Sequence, residues 1–325
     1  MLWKERSFLK KLTRNFFESR SYEEIDTPIA VICPGSEVHL NYFETAWQDY
    51  RKQNHQLFLR SSPEIHMKQA LIEGVDKIFQ IGSCFRNGGE LSEWHHPEFT
   101  MLEWYETGLD YKGLMTQTED FLNFTHLEFA KKFSHCPQFF RDKNIQRISV
   151  FEAFQSFAKI ELIDQDPDLA RKCIVAGSMS VKLTDDFETA YFKTLIEVIE
   201  PKLAEFNVVF LYDYPPSQAA LSKIEDGRAC RFECYVGRVE ISNGFFELLG
   251  TEQNKKVFRD SNKSRLQNGL VPVPEDTLFF EAIDKIKSSY SGNALGFDRW
   301  LALLCGQTTL DHVLPFRRRA PFIET

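Results

Sequence analysis

Apolar and polar residues alternate along this chain with two different periods, and the changes of period mark its elements. Between residues 5 and 20, Phe8, Leu9, Leu12, Phe16 and Phe17 fall on one stripe at helical spacing, which predicts an amphipathic helix. Ser21 to Pro28 breaks that pattern and reads as extended, because the residue before a proline is pushed out of the helical region. Residues 56–60 predict a strand running into Ser61-Ser62-Pro63-Glu64, where serine then proline is a helix-start signal and Glu64 suits the positive end of the dipole. Ile78 to Ile81 and Glu98 to Tyr105 are rich in β-branched and aromatic residues at roughly period two, and predict a hairpin around the polar run Asn87 to Pro97. Residues 110–133 return to the helical period, and Ser149-Val150-Phe151-Glu152 is a capping-box signature opening a helix from Phe151 to Lys159. The apolar run Asn207 to Asp213, ended by Pro215-Pro216, predicts a buried strand; Arg231 to Ile241 alternates as one strand that continues through Ser242 to Glu247. Last, Ser291 to Arg299 reads as a glycine-containing strand end that runs into the apolar helix Trp300 to Leu304.

Composition narrows the class. With 325 residues, 43% of them hydrophobic and 26% charged, the chain can bury a substantial core as one large domain, with residues 134–190 as a helical insertion that carries no chemical constellation. No run of about eighteen uncharged apolar residues occurs and the N-terminus is charged throughout, so no export signal or membrane contact is expected. Seven scattered cysteines without a paired CxxC predict reduced thiols and a cytoplasmic protein. A net charge of −8 and a pI near 5.6 argue against broad contact with a polyanion, since nucleic-acid affinity comes from Lys and Arg neutralising phosphates. Lys10-Lys11 and Arg317 to Arg319 are local basic clusters, and a solvated face accounts for each.

The long loop is where chemistry-bearing residues gather. Loops of about a dozen residues are uncommon as plain connectors. This one has Arg86 at its root, Glu90 and Glu93 inside it, His95 and His96 at its far end and Phe99 just beyond. An arginine fork grips a phosphate through two parallel bonds and an aromatic face receives a nucleobase, so the set points to a nucleotide. A structural reading, with Arg86 paired to a carboxylate and Phe99 in a core, fits the same residues. Glu240 and Glu247 can share a Mg²⁺, which takes oxygen ligands and bridges phosphates, although two acids on a strand also suit plain solvation. Arg299 begins a helix face after Gly296, a short GxDR pattern that says little alone.

Together these stretches resemble a known family. FRNGGELSEWHHPEFTMLEWY is similar to motif 2 of class II aminoacyl-tRNA synthetases in the form carried by the lysyl group, EISNGFFEL to that group's E-x-x-NGF-x-EL, and ALGFDR to motif 3. The helix, strand and proline of residues 5–28 resemble motif 1, which builds the family's dimer interface. The resemblance spans residues 5 to about 316 and implies an α+β fold, a catalytic core of mainly antiparallel sheet flanked by helices, and a homodimer, while the pattern of residues 5–28 alone suits a surface helix packed on its own sheet equally well. It implies ATP and Mg²⁺ as cofactors, with Arg86, Glu90, His95, His96, Phe99, Glu240, Ile241, Gly296 and Arg299 toward ATP, and Glu240 and Glu247 toward the metal. The resemblance also implies catalytic roles for Arg86 and Arg299, the second by stacking on adenine. Ser62, Glu64, Glu103, Tyr105, Asn243, Glu247 and Ala294 line the amino-acid pocket in this reading.

Motif 1 starts almost at the first residue, so the expectation is a core without an anticodon-binding domain ahead of it, similar to the free-standing paralogs that ligate β-lysine to elongation factor P. Pro216 to Leu221 and Ala294 resemble those paralogs rather than the synthetases. The implied reaction activates (R)-β-lysine or lysine as its adenylate and passes it to a lysine of elongation factor P, without tRNA. Three other readings stay open: a truncated lysyl-tRNA synthetase that charges tRNA, a catalytically silent regulatory paralog, and an amide-forming synthetase that makes a small metabolite. The loop departs from the family form, RNGGELSEWHH standing for RNE-x4-HN, so that Glu90 is an inexact counterpart and His96 replaces asparagine.

Overall fold

The structure, a computed structural model, describes residues 2–89, 92–140, 145–286 and 288–315. Glu90 and the Arg317 to Arg319 cluster lie outside the described residues. The chain forms two compact units, Met1–Pro137 with Glu247–Thr325, and Gln138–Phe246.

The first unit opens with α1 (Trp3–Glu18), whose stripe Leu9, Leu12, Phe16 and Phe17 is buried as its spacing predicts. The helix stops at a left-handed Ser21, and β1 (Glu23–Glu24) follows. A small antiparallel sheet comes next, with β4 (Asn54–Leu59) between β2 (Ala30–Val31) and β3 (Glu44–Gln48). Then come α2 (Glu64–Ala70), β5 (Lys77–Phe85), β6 (Glu98–Thr107) and α3 (Tyr111–Lys132), the last capped by Asp110, which accepts from the Gly113 N–H. The hairpin is therefore present, with β5 and β6 antiparallel and paired from Lys77 with Glu106 to Phe85 with Glu98.

The second unit begins with β7 (Ile145–Ser149) and α4 (Val150–Ala153), where both bonds of the Ser149–Glu152 capping box are made. A π-helical stretch to Ala158 replaces regular helix there. After α5 (Leu169–Val175), α6 (Phe187–Thr194) and α7 (Glu200–Leu203) come β8 (Val208–Tyr214), β9 (Ile224–Glu225), β10 (Arg228–Val236) and β11 (Val239–Phe246). The sequence reading of one strand from Arg231 onward is corrected. The chain reverses at Gly237-Arg238, with Gly237 at φ +59°, so that Val236 pairs with Val239 and β10 lies antiparallel to β11. The expected insertion helices thus share a unit and a core with these strands, Phe154 stacking on Tyr191 beside Val209 and Leu211.

Back in the first unit, α8 (Thr251–Gln267) and α9 (Thr277–Ile283) precede β12 (Tyr290–Gly296) and α10 (Phe297–Leu304). β12 pairs antiparallel with β6, and β1 runs parallel to β5. Strand alternation sorts this sheet into two faces. Phe79, Leu102 and Trp104 point to α1 and α3, where Phe17 stacks on Phe79 at 4.9 Å and Phe16 meets Phe121 edge-on at 5.3 Å. The other face of β6 presents Phe99, Met101, Glu103 and Tyr105, so one rigid, aromatic-backed sheet carries two groups of candidate residues. All seven cysteines are free and buried, and among the described residues no helix is long and apolar enough to cross a membrane.

Candidate active site

Near the loop, Arg86 follows β5 directly, and its N–H is held by the Pro97 carbonyl at 2.9 Å. Its guanidinium carbon lies 5.2 Å from the Phe99 ring centroid, and its Nε is buried without a hydrogen-bond partner. A buried guanidinium N–H with no acceptor is costly unless something else supplies one, which suits an incoming phosphate oxygen. On the opposite side of the loop, Arg299 in the first turn of α10 reaches the Trp94 carbonyl at 3.3 Å and His95 Nε2 at 3.0 Å. His95 Nδ1 is 2.6 Å from Ser92 Oγ, and His96 Nδ1 is 2.6 Å from the Glu98 carbonyl. Gly296 leaves space for the Arg299 stem: a Cβ there would sit 3.2 Å from Arg299 Cδ. The structure thus brings Arg86, His95, Phe99, Gly296 and Arg299 to one end of β6.

Further along β6, a carboxylate box is built from α2, β6 and the segment after Phe246. Glu103 is 2% exposed, and its carboxylate accepts from Ser62 Oγ at 2.8 Å and from Tyr105 Oη at 2.6 Å. Ser62 also accepts the Glu64 N–H at 3.0 Å, so the predicted helix-start serine ties α2 to the box. Lys68, 1% exposed, sets its ammonium 2.5 Å from Glu64 and 2.6 Å from Glu247. The contact to Glu247 is a fully buried ion pair through Oε2. Tyr290 Oη is buried and unpartnered, while Ala294 stands directly opposite Glu103 across the β6–β12 pair.

Burial dominates the electrostatics of the box. It pushes the Glu103 carboxyl up to about 7, with Glu64 adding to the rise and the Tyr105 and Ser62 bonds opposing it. It lifts Glu247 up to about 8, against the pull of Lys68 and with help from Glu64 and Glu103. For Lys68 burial works the other way, but Glu247 and Glu64 together outweigh it and the amine holds its proton well above the usual range. With Glu64, Glu103, Glu247 and Lys68 all ionised the box carries a net formal charge of minus two, and Tyr290 Oη is its buried polar oxygen without a partner. Such an arrangement accepts a compact cation bearing several N–H donors.

Sequence reading missed Lys68 and Tyr290. The signal for Lys68 was present, four residues after Glu64 on one helix face, but that spacing is also what an exposed pair shows.

In the second unit, Glu240, Ile241 and Asn243 lie on β11, Glu240 opposite Tyr235 and Asn243 opposite Glu233. Ile241 is buried, so any ligand contact there runs through its main chain. Asn243 Oδ1 is buried without a partner. Among the described residues no three His, Cys, Asp or Glu side chains converge on a metal position.

The chain belongs to the class II tRNA synthetase family of the D, K and N type, whose sequence profile matches residues 2–320. Within that class it is similar to curated proteins with a narrower name. It is 32% identical over 320 residues to the elongation factor P–(R)-beta-lysine ligase of Vibrio cholerae serotype O1, a match covering 96% of this chain and 94% of that protein. The ligase of the same name from Vibrio atlanticus is 33% identical over 319 residues, with 96% and 94% covered, and that of Hamiltonella defensa 32% over 322 residues, with 97% and 94% covered.

Proposed function

We propose that the chain is an ATP-dependent ligase that activates (R)-β-lysine, or lysine, as its aminoacyl-adenylate and transfers the acyl group to a lysine side chain of elongation factor P. The carboxylate box carries this reading. Its formal charge of minus two matches the two ammonium groups of a diamino acid, and the buried, unpartnered Tyr290 Oη suits one of their N–H groups. Three relatives bearing the ligase name support the acceptor.

In the first step a substrate carboxylate oxygen attacks the α-phosphorus of ATP, the bond to the β-phosphate oxygen breaks, and pyrophosphate leaves. Arg86 neutralises the charge that builds on the α-phosphoryl oxygens, and its unpaired Nε gives it a donor to spare. Phe99 and Arg299 hold the adenine ring between an aromatic face and a guanidinium plane, and His95 reaches toward the outer phosphates. Glu64, Glu103 and Tyr105 hold the ammonium groups. Asn243 has an amide N–H₂ for the carboxylate. In the second step the acceptor amine attacks the mixed anhydride, loses a proton, and AMP departs. No covalent enzyme intermediate forms.

Mg²⁺, when bound, spreads the phosphate charge and orients the leaving pyrophosphate. Glu240 is the residue that would hold it. A role for Glu247 in the same task requires the ion to share a carboxylate with the Lys68 ammonium, so we assign Glu247 first to the amine pocket. Ala294, opposite Glu103, places a methyl group beside the amine position and favours a displaced β-amino group over an α-amino group. A homodimer built through α1 and β1 and an absence of tRNA binding complete the reading. Pyrophosphate exchange into ATP tests it: exchange that depends on (R)-β-lysine or lysine, and is lost with mono-amino acids, is expected. No exchange with either diamino acid contradicts it.

A further inference from the structure

The last register pair between β6 and β12 joins Met101 to Gly296, after which the chain turns into α10. One residue beyond that pair, the Thr100 N–H donates to the Asp298 carboxylate at 2.6 Å. A helix side chain thus takes over where the ladder stops. The second oxygen of Asp298 is paired with Arg6 of α1, and Arg6 also donates to Thr100 Oγ1 and reaches the Val313 carbonyl at 3.4 Å. Arg6 is 6% exposed and Asp298 2% exposed. Both are therefore buried charges, tolerated because each satisfies the other.

What this knot joins is specific. Thr100 follows Phe99 and Asp298 precedes Arg299, so a single carboxylate fastens the backbone beside one proposed adenine contact to the helix turn that carries the other. Arg6 fixes the orientation of that carboxylate by gripping Asp298 and Thr100 together. An apolar residue at 298 could fill the same volume but could not accept the Thr100 N–H or hold the strand end against the helix.

We propose that Asp298, oriented by Arg6, is a positioning residue that sets the gap between the Phe99 ring and the Arg299 guanidinium and so sets the affinity for the nucleobase of ATP. The proposal rests on the assignment of Phe99 and Arg299 to the nucleobase. Neither Asp298 nor Arg6 touches substrate; both act through the clamp.

The test uses the full chain in pyrophosphate exchange with the preferred diamino acid, measuring KM for ATP and KM for the amino acid. For Asp298→Asn, KM for ATP rises about tenfold, while KM for the amino acid stays within about twofold. Arg6→Lys, which keeps the charge but loses one arm of the fork, raises KM for ATP by less, and stands in if the asparagine variant does not fold. A lower melting temperature or kcat with unchanged KM for ATP means a structural ion pair only and overturns the proposal. Phe99→Ala is the control for its premise. If the wild type exchanges pyrophosphate but Phe99→Ala retains its KM for ATP, the adenine assignment fails and this inference with it. A wild type without exchange refutes the ligase reading itself.

Discussion

Glu103 and Glu247 carry the acid side of the proposed amine pocket, and their lifted pKa values give it a pH dependence. A carboxyl at about 7 and another at about 8 are partly protonated at neutral pH, and the protonated forms cannot attract an ammonium group. The groups facing them are Glu64 and Lys68 from α2, Tyr105 from β6 and Tyr290 from β12, and Lys68 keeps its charge throughout this range. Specificity for the amino acid, kcat/KM, therefore rises with pH from about 6 and levels off above about 9, which a pH series of pyrophosphate exchange measures. A flat profile over that range contradicts the assignment. Arg86→Ala is expected to lose several kcal/mol of transition-state stabilisation, roughly a thousandfold in kcat/KM, with little change in melting temperature. The residue types at these positions were readable along the sequence, and the resemblance supplied the roles proposed for them. Lys68 was not, because only burial separates an internal cation from a solvated helix pair, and the partnership of Arg6 with Asp298 spans a separation of 292 residues that no local pattern reports.

Among the elements, the hairpin was the most legible, since period-two alternation with aromatic residues predicts both strands and the fold needs both faces. The α1 stripe was legible for the same reason, its spacing being that of the face that meets the sheet. The turn between β10 and β11 was not. A two-residue turn is too short a break to stand out in an alternating apolar pattern, so Val-Gly-Arg-Val reads as uninterrupted strand although Gly237 reverses it. Phe17, which contacts Phe16, Tyr22, Phe79, Trp104 and Phe121, is the aromatic centre behind the hairpin. Phe17→Ala is expected to destabilise the fold by about 3 to 5 kcal/mol in denaturant unfolding, leaving KM for both substrates near wild type in the folded fraction. On the chemical face the reverse is expected. Gly292 pairs with Tyr105 across the sheet, and a methyl group there would collide with the tyrosine ring. Gly292→Ala should therefore dislodge the Tyr105–Glu103 bond and raise KM for the amino acid about tenfold while sparing KM for ATP.

For the molecule as a whole, an acidic chain with net charge −8 that belongs to a tRNA synthetase family is the feature that most needs explaining. A polypeptide acceptor removes the need for a phosphate-binding surface, because affinity for a polyanion would otherwise be assembled from Lys and Arg. The account therefore predicts no retention of tRNA in filter binding at physiological salt. The most direct measurement of the central claim is the intact mass of purified elongation factor P after incubation with the enzyme, ATP and either (R)-β-lysine or lysine. A gain of one lysyl group at a single lysine side chain, faster with the β-isomer and abolished by Arg86→Ala, is the predicted result. Unchanged factor mass in the presence of an enzyme that does exchange pyrophosphate contradicts it.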